Sequence, residues 1–330
     1  MINLNLRVVT FVVVVASAGA PVQAQTTSTG SGQSYPTRPI RLLSGFAPGG
    51  ATDIAARAVA QKLNEFMGQP VVVENRPGAA GNVAAEMIVR SAPDGYLIYL
   101  ANATIATPSL FTKVPFDVTK DFAFVSMIGL GPSGLVVHPS VPVRSMKALI
   151  ALARQQPGKL NFASGGTGNI SHLAMALFAS MAKIDMVHVP YKGGAPSTIA
   201  TVSGEAHLMF SSIASMLGQI QQGRLRVLAV SSAKRSLVLP HVPTVSEEGL
   251  AGYEASSWYG LVVAAATPPA VVSRLSNETV KALALAEVKE RLSSQGIEPV
   301  AGGADDFRKY VMAEIPKWAK VIRDAKIPPQ

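Results

Sequence analysis

The chain has 330 residues, 48% of them hydrophobic and 15% charged, with a formal net charge of +9. That length accommodates two domains, and so apolar a composition excludes wholesale disorder. Lysines and arginines are scattered without a run and aromatics make up 6%, so the charge reads as a solvated basic surface, with no nucleic-acid partner expected.

Arg7 is the one charge in residues 1–24, and it precedes the apolar run Val8–Ala16 and the small residues ending Val22-Gln23-Ala24. This pattern predicts a secretory signal over 1–24, cut after Ala24, followed by a flexible Gly/Ser-rich leader over 25–34. The chain contains no cysteine. Disulfides, thiolate metal sites, a cysteine nucleophile and a lipidated cysteine anchor are thereby excluded, and a periplasmic location without lipid anchor is expected.

From Tyr35 onward, short apolar runs alternate with helical patterns. Strands are expected at Ile40–Phe46, Val71–Glu74, Tyr96–Ala101, Phe122–Ile128, Gly134–Val137, Leu160–Ala163, Met186–Val189, His207–Phe210 and Arg226–Val230. Helices are expected at Thr52–Phe66, Asn82–Ser91, Met146–Arg154, Ile170–Ala182, Ser197–Val202 and Ser212–Gln222. A further helix starts near Pro269, and another, Asp305–Ala325, carries Pro316, which should kink or divide it. Runs apolar on both sides, such as Val71-Val72-Val73, suggest mostly parallel sheets with helix-covered faces. Two long extended segments, Phe122–Val137 and Tyr253–Ala266, can serve as crossovers between lobes. The expected architecture is α/β and two-lobed, with residues 35–135 plus 253–330 in one lobe, 136–252 in the other, and a ligand between them.

Four places repeat one design, in which a strand meets a small-residue turn and then a helix: Gly45–Asp53, Ser164–Ser171, Tyr191–Ser197 and Phe210–Ser215. A helix N-terminus exposes unpaired N–H groups and a partial positive charge, so it binds anions without lysine or arginine. Taken singly, each is an ordinary capped turn; together they point to a shared anion cleft. No lysine is followed by Ser or Thr, which excludes the phosphate loop, and neither G-x-S-x-G nor H-E-x-x-H occurs. Gly129–Gly134 matches G-x-G-x-x-G but opens onto an extended run instead of a helix. The five histidines are dispersed and read as structural, and the carboxylate of Asp53 reads as fixing its own loop. No nucleophile–base set assembles, so no enzyme, metal or cofactor is expected.

The stretches "YPTRPIRLLSGFAPGGATDIAAR", "VVVENRPGAAGNVAAE", "GGTGNISHLA", "MVHVPYKGGAPS", "LRVLAVSSAKRS" and "LPHVPTVSEEGLAGYE" resemble the Bug-type substrate-binding proteins, receptors of tripartite tricarboxylate transporters. The resemblance spans Tyr35 to about Ile327. It implies a two-lobed periplasmic binding fold that closes on a small mono- or dicarboxylate, aromatic ones included, and it implies permease subunits or a sensor protein as partners of a monomer. The alternatives are a receptor feeding a signalling system and an exported α/β enzyme acting on a carboxylate. Ligand contacts carried over from the family are Phe46, Ala47, Gly49, Gly50, Thr52 and Asp53 in the first loop, and Asn102 and Thr104 after the third strand. The facing lobe supplies Gly166, Thr167, Gly168 and Asn169, then Gly193, Gly194 and Ala195, and finally Ser211. The family often has Asp where this chain has Ser211, which weakens the case for an amino-acid ligand.

Overall fold

A computed structural model of the chain describes residues 35–107 and 114–324. The expected signal and leader lie outside the described residues. Alternation of apolar runs and helical spacing gives, in chain order, β1 Ile40–Ser44, α1 Ala51–Met67, β2 Val71–Asn75, α2 Asn82–Val89 and β3 Leu97–Asn102, with short 3₁₀ turns at Ala79–Gly81 and Ala103–Ala106. Next come β4 Phe122–Gly131, β5 Ser133–Val137, α3 Met146–Gln155, β6 Asn161–Ser164, α4 Ile170–Ala182, β7 Val187–Pro190 and α5 Gly194–Val202. The chain ends with β8 Leu208–Ser212, α6 Ile213–Gln221, β9 Arg226–Val230, β10 Ser257–Ala264, α7 Pro269–Ala284, α8 Ala286–Ser294, β11 Glu298–Gly302 and α9 Ala304–Asp324.

The strands form two sheets, one ordered β11-β4-β10-β3-β1-β2 and the other β7-β6-β8-β5-β9. The chain leaves the first sheet at Gly131 and enters the second at Ser133, and β10 comes back to pair antiparallel with β4. The expected side-by-side crossing is therefore present. It also corrects the expectation of mostly parallel sheets, because both sheets are mixed. Strands that follow βα units pair in parallel, as β1 does with β2 and β3 and β6 does with β7 and β8. A segment that crosses to the other sheet and returns must run the opposite way, so β10 is antiparallel to β3 and β4, and β5 is antiparallel to β8 and β9.

Three local expectations are revised. β2 sits at a sheet edge with Val72 48% exposed, so its three valines mark an edge and not a strand buried on both faces. α9 runs through Pro316 as one helix, with Phe307, Val311 and Trp318 fully buried along one side. The polar helix α8 and strand β11 carried too little apolar periodicity to be read from sequence; α8 buries only Val288 and Leu292.

The returning strand packs tightly. Phe307 of α9 lies edge-on to both Phe124 of β4 and Trp258 of β10. A Cβ placed on Gly260 would come within 2.2 Å of its ring. Gly260→Ala should therefore destabilise the fold by about 1–3 kcal/mol through overpacking. Urea unfolding checks this, and an unchanged midpoint would show that the helix shifts freely on the sheet.

Candidate functional site

The first jaw is the turn between β1 and α1. Gly49 adopts φ +77, a region costly for residues with a side chain, and Gly50 is the N-cap of α1 with no side chain capping the helix. The first-turn N–H groups of α1 are thus left for another acceptor. Asp53 faces its own loop. Its carboxylate accepts the Gly49 N–H at 3.1 Å, the Arg57 Nε–H at 3.0 Å and the Asn75 Nδ2–H at 3.0 Å. Asn75 also donates to the Phe46 carbonyl at 3.0 Å, so strand β2 and helix α1 together fix the turn. Burial alone raises the Asp53 pKa, but the hydrogen bonds from Arg57, Gly49 and Asn75 outweigh it and hold the group below the ordinary carboxylate value.

The facing jaw is built from three more helix starts. Asn169, the N-cap of α4, accepts the Ser171 N–H and hydroxyl, both at 2.9 Å, and Ser171 in turn accepts the Gly165 N–H at 2.9 Å. Helices α5 and α6 begin at Gly193 and Ser212 without side-chain caps. A Cβ on Gly194 would lie 3.1 Å from Ser215 Oγ and 3.3 Å from Ser211 Oγ, so a side chain there would press on both hydroxyls.

Between the jaws lie two adjoining chambers that share Phe46. The smaller, of about 40 Å³, is lined by Gly50, Ala51 and Thr52 of the first jaw and by Asn102. Asn169–Ser171, Gly194, Ser211, Ser212 and Ser215 face them, and the crossing strands add Ser133, Ser257 and Tyr259. Four α-helix N-termini thus converge on one compartment. The larger chamber, of about 370 Å³, is lined by Gly78–Asn82, Thr104, Thr107, Gly165–Gly168, Tyr191 and Lys192. Among the described residues lining either chamber, none is acidic and Lys192 alone is charged. Two of the lining residues, Ser133 and Thr104, carry buried hydroxyls with no hydrogen-bond partner among the described residues.

Most sequence-expected contacts therefore line one chamber or the other, but five do not. Ala47, Gly49, Gly193 and Ala195 lie where the jaws meet: a Cβ on Gly49 would sit 4.0 Å from Ala195 Cβ, and one on Gly193 would sit 3.5 Å from the Ala47 nitrogen. Asp53 lies behind the turn. Across the cleft, the Thr107 hydroxyl is within 3.2 Å of the Gly168 carbonyl and 2.9 Å of the Thr104 carbonyl. Sequence reasoning missed the loop Gly78–Asn82, although "RPGAAGN" repeats the design of a small-residue turn before a helix. Ser133, Ser257 and Tyr259 gave no signal, since serine and tyrosine in an extended run read as ordinary strand.

Two of the dispersed histidines meet in the fold. His172 and His188 stack with ring centroids 4.0 Å apart, beneath the Gly165–Gly168 turn. His172 Nδ1 accepts the Gly168 N–H at 3.2 Å, and His188 Nε2 lies 2.5 Å from Ser164 Oγ. Burial lowers His172 to about 4, and burial plus the neighbouring ring lowers His188 to about 3, so both are neutral and structural. Ser164 is fully buried and lines neither chamber, so this Ser–His contact supports the turn and is not a nucleophile facing the cleft.

The profile described as "Tripartite tricarboxylate transporter family receptor" (TctC) matches residues 55–327. Protein BugT of Bordetella pertussis is 34% identical over 322 residues, covering 97% of this chain and 96% of BugT. The structure of Rhodopseudomonas palustris Rpa4515 with adipate superposes with a TM-score of 0.87 at 34% identity, covering 90% of this chain and all of that one. MatC of the same species, with bound malate, gives 0.83 at 28% identity, covering 87% and 100%. The chain belongs to the tripartite tricarboxylate transporter receptor family and has its two-lobed periplasmic binding fold.

Asp53→Ala should cost about 1–3 kcal/mol by removing the acceptor of three donors, and should speed amide exchange over residues 45–50; unchanged exchange there would count against its loop-fixing role. Because the folded state holds His172 and His188 neutral, the unfolded chain binds protons first. Stability should be fully present above about pH 6.5 and fall as pH drops toward 4. In pH-dependent denaturation His172→Asn should show a shallower acid limb than the parent.

Proposed function

We propose that this receptor is exported to the periplasm and captures a small carboxylate between its lobes, delivering it to the membrane subunits of a tripartite tricarboxylate-type transporter. The observation that carries this is the convergence of the α1, α4, α5 and α6 N-termini on one small chamber without an acidic side chain. A carboxylate there accepts backbone N–H and serine O–H donors while the helix starts supply partial positive charge. The bound adipate of Rpa4515 and malate of MatC, in chains of the same fold, fit this chemistry.

Phe46, Gly50, Thr52, Asn102, Asn169, Gly194 and Ser211 are the contacts we assign to the carboxylate. Gly166, Thr167, Gly168 and Thr104 enclose the rest of the ligand. Asp53 acts through the loop, and Ala47, Gly49, Gly193 and Ala195 through the fit of one jaw on the other. Opening is a hinge motion of one lobe, 35–135 with 253–330, against the other, 136–252, about the paired segments β4–β5 and Tyr253–β10. The protein works as a monomer and transforms nothing.

Thermal-shift and calorimetric titration of the purified mature chain with mono-, di-, tri- and aromatic carboxylates should find a saturable ligand at one per chain, recovered unchanged. Product formation would overturn the receptor reading. Gly50→Val should weaken that ligand at least tenfold. A Cβ added at Gly50 would lie 3.5 Å from the Ala47 carbonyl oxygen and 4.0 Å from the Ala195 nitrogen, and the methyls of valine would stand between the jaws. Unchanged affinity would remove the first turn from the site.

A further inference from the structure

The turn between β6 and α4 is tied down from behind. Gly166 and Gly168 adopt φ +121 and +74, values that glycine reaches freely and also leaves freely. Three side chains fix the turn by accepting its amides: Ser171 Oγ takes the Gly165 N–H at 2.9 Å, Ser164 Oγ the Gly166 N–H at 3.1 Å and His172 Nδ1 the Gly168 N–H at 3.2 Å. In front, the buried Thr107 hydroxyl shares its proton between the Thr104 carbonyl at 2.9 Å and the Gly168 carbonyl at 3.2 Å. Gly168 thus stands between a contact across the cleft and an imidazole.

Of the three acceptors, His172 alone can change its charge. A ring nitrogen that accepts an N–H carries no proton, so the ring's proton sits on Nε2. An imidazolium has an N–H at both nitrogens, and at Nδ1 donor would then face donor. The ring has little freedom to turn away, since it stacks 4.0 Å from His188, which stacks 4.9 Å from Phe162. Its surroundings offer a cation no partner. β6 brings Phe162 and Ser164, β7 brings His188, and β8 has no ionisable residue. Tyr253 bonds to the Ala174 carbonyl of α4, and Glu314, the buried carboxylate of α9, is held by Trp318 Nε1 and Lys317. Lys192, in the same chamber wall, has like charge. Burial lowers both histidine pKa values, and the His172 ring lowers His188 further.

We propose that His172 is a positioning residue for ligand binding: its neutral ring holds the Gly168 turn against the Thr107 hydroxyl, and protonation of the ring releases the turn and favours the open cleft. This rests on the hinge closure proposed above and adds acid release to it. The ring acts through Gly168 and touches no ligand. The closed cleft excludes the proton and the released turn admits it, so ligand and proton oppose each other. Affinity should be level above about pH 6.5 and fall as pH drops toward 4. An asparagine at 172 offers a carboxamide oxygen to the same N–H and does not titrate.

Hydrogen–deuterium exchange on the ligand-free mature chain, read in peptides spanning the turn, tests this without a ligand. At about pH 7.5 the parent and His172→Asn should protect the Gly165–Gly168 amides alike. His172→Phe keeps a stacked ring but no acceptor, and should exchange on the order of tenfold faster. Toward about pH 5 the parent should lose protection relative to His172→Asn at the same pH. Calorimetry with adipate and malate reads the ligand side. Between about pH 7.5 and 5, parent affinity should fall about threefold or more beyond the fall in His172→Asn, where the acid's own titration is the same. His172→Phe exchange equal to the parent's would overturn the inference, as would parent and His172→Asn profiles that coincide at every pH. Should His172→Phe fail to fold, the comparison with His172→Asn decides alone. Failure of both acids to bind, with the expected exchange pattern, would count against the carboxylate reading and leave the turn's dependence on His172 standing.

Discussion

Backbone N–H groups at the start of a helix have no partner within that helix, and the whole cleft is organised around that fact. α1, α5 and α6 all begin without a side-chain cap, and α4 spends its Asn169 cap on the neighbouring Ser171. A soluble protein ordinarily satisfies such groups with an Asp, Ser or Thr in the N-cap position. Here the nearby carboxylate, Asp53, is turned back to hold Gly49, Arg57 and Asn75, so it shapes the turn without neutralising it. The glycines follow from the same constraint. Gly193 has φ +121 and abuts Phe46, and Gly194 lets two serine hydroxyls approach a helix start.

The crossing strands turn these local devices into one site. The β4–β5 segment and β10 run side by side, with Gly131 opposite Ser257 at the point of passage. A Cβ at Gly131 would lie 2.6 Å from the Tyr259 ring, while the Tyr259 hydroxyl reaches Ser212 Oγ at 3.3 Å. Ser133 and Ser231 exchange hydrogen bonds of 2.9 and 2.7 Å just beyond. Strand pairing stays within each sheet, while packing of α4 on α9 and of α1 on α6 joins them. The mixed sheets, unexpected from sequence, are the direct consequence of this route.

What was legible in the sequence is what depends on local pattern. Helical spacing located α1, α4, α7 and α9, and the glycine turns located most of the small chamber because a turn and its helix are contiguous in the chain. What was not legible depends on neighbours far away in sequence. Val71-Val72-Val73 has the same composition as a central strand, and only the pairing order makes it an edge. His172 and His188 are each unremarkable, and their stacking follows from β6 lying beside β7 and leading into α4. Ser133 and Ser257 line the cleft because two distant segments pair there, which no single stretch encodes.

The scarcity of charge in the walls has a physical reason beyond selectivity. A receptor that hands its ligand on must bind an anion and still let it go. A guanidinium paired with a carboxylate in the cleft forms a strong bidentate contact, and opening it leaves a full charge to be resolvated. Helix starts, amides and hydroxyls distribute the same favourable potential over many weak donors, each of which water replaces at small cost once the jaws part. The formal charge of +9 belongs to the chain as a whole, while among the described lining residues only Lys192 brings a charge to the cleft. Attraction at long range and release at short range are thus assigned to different parts of the molecule, the first to side chains and the second to backbone.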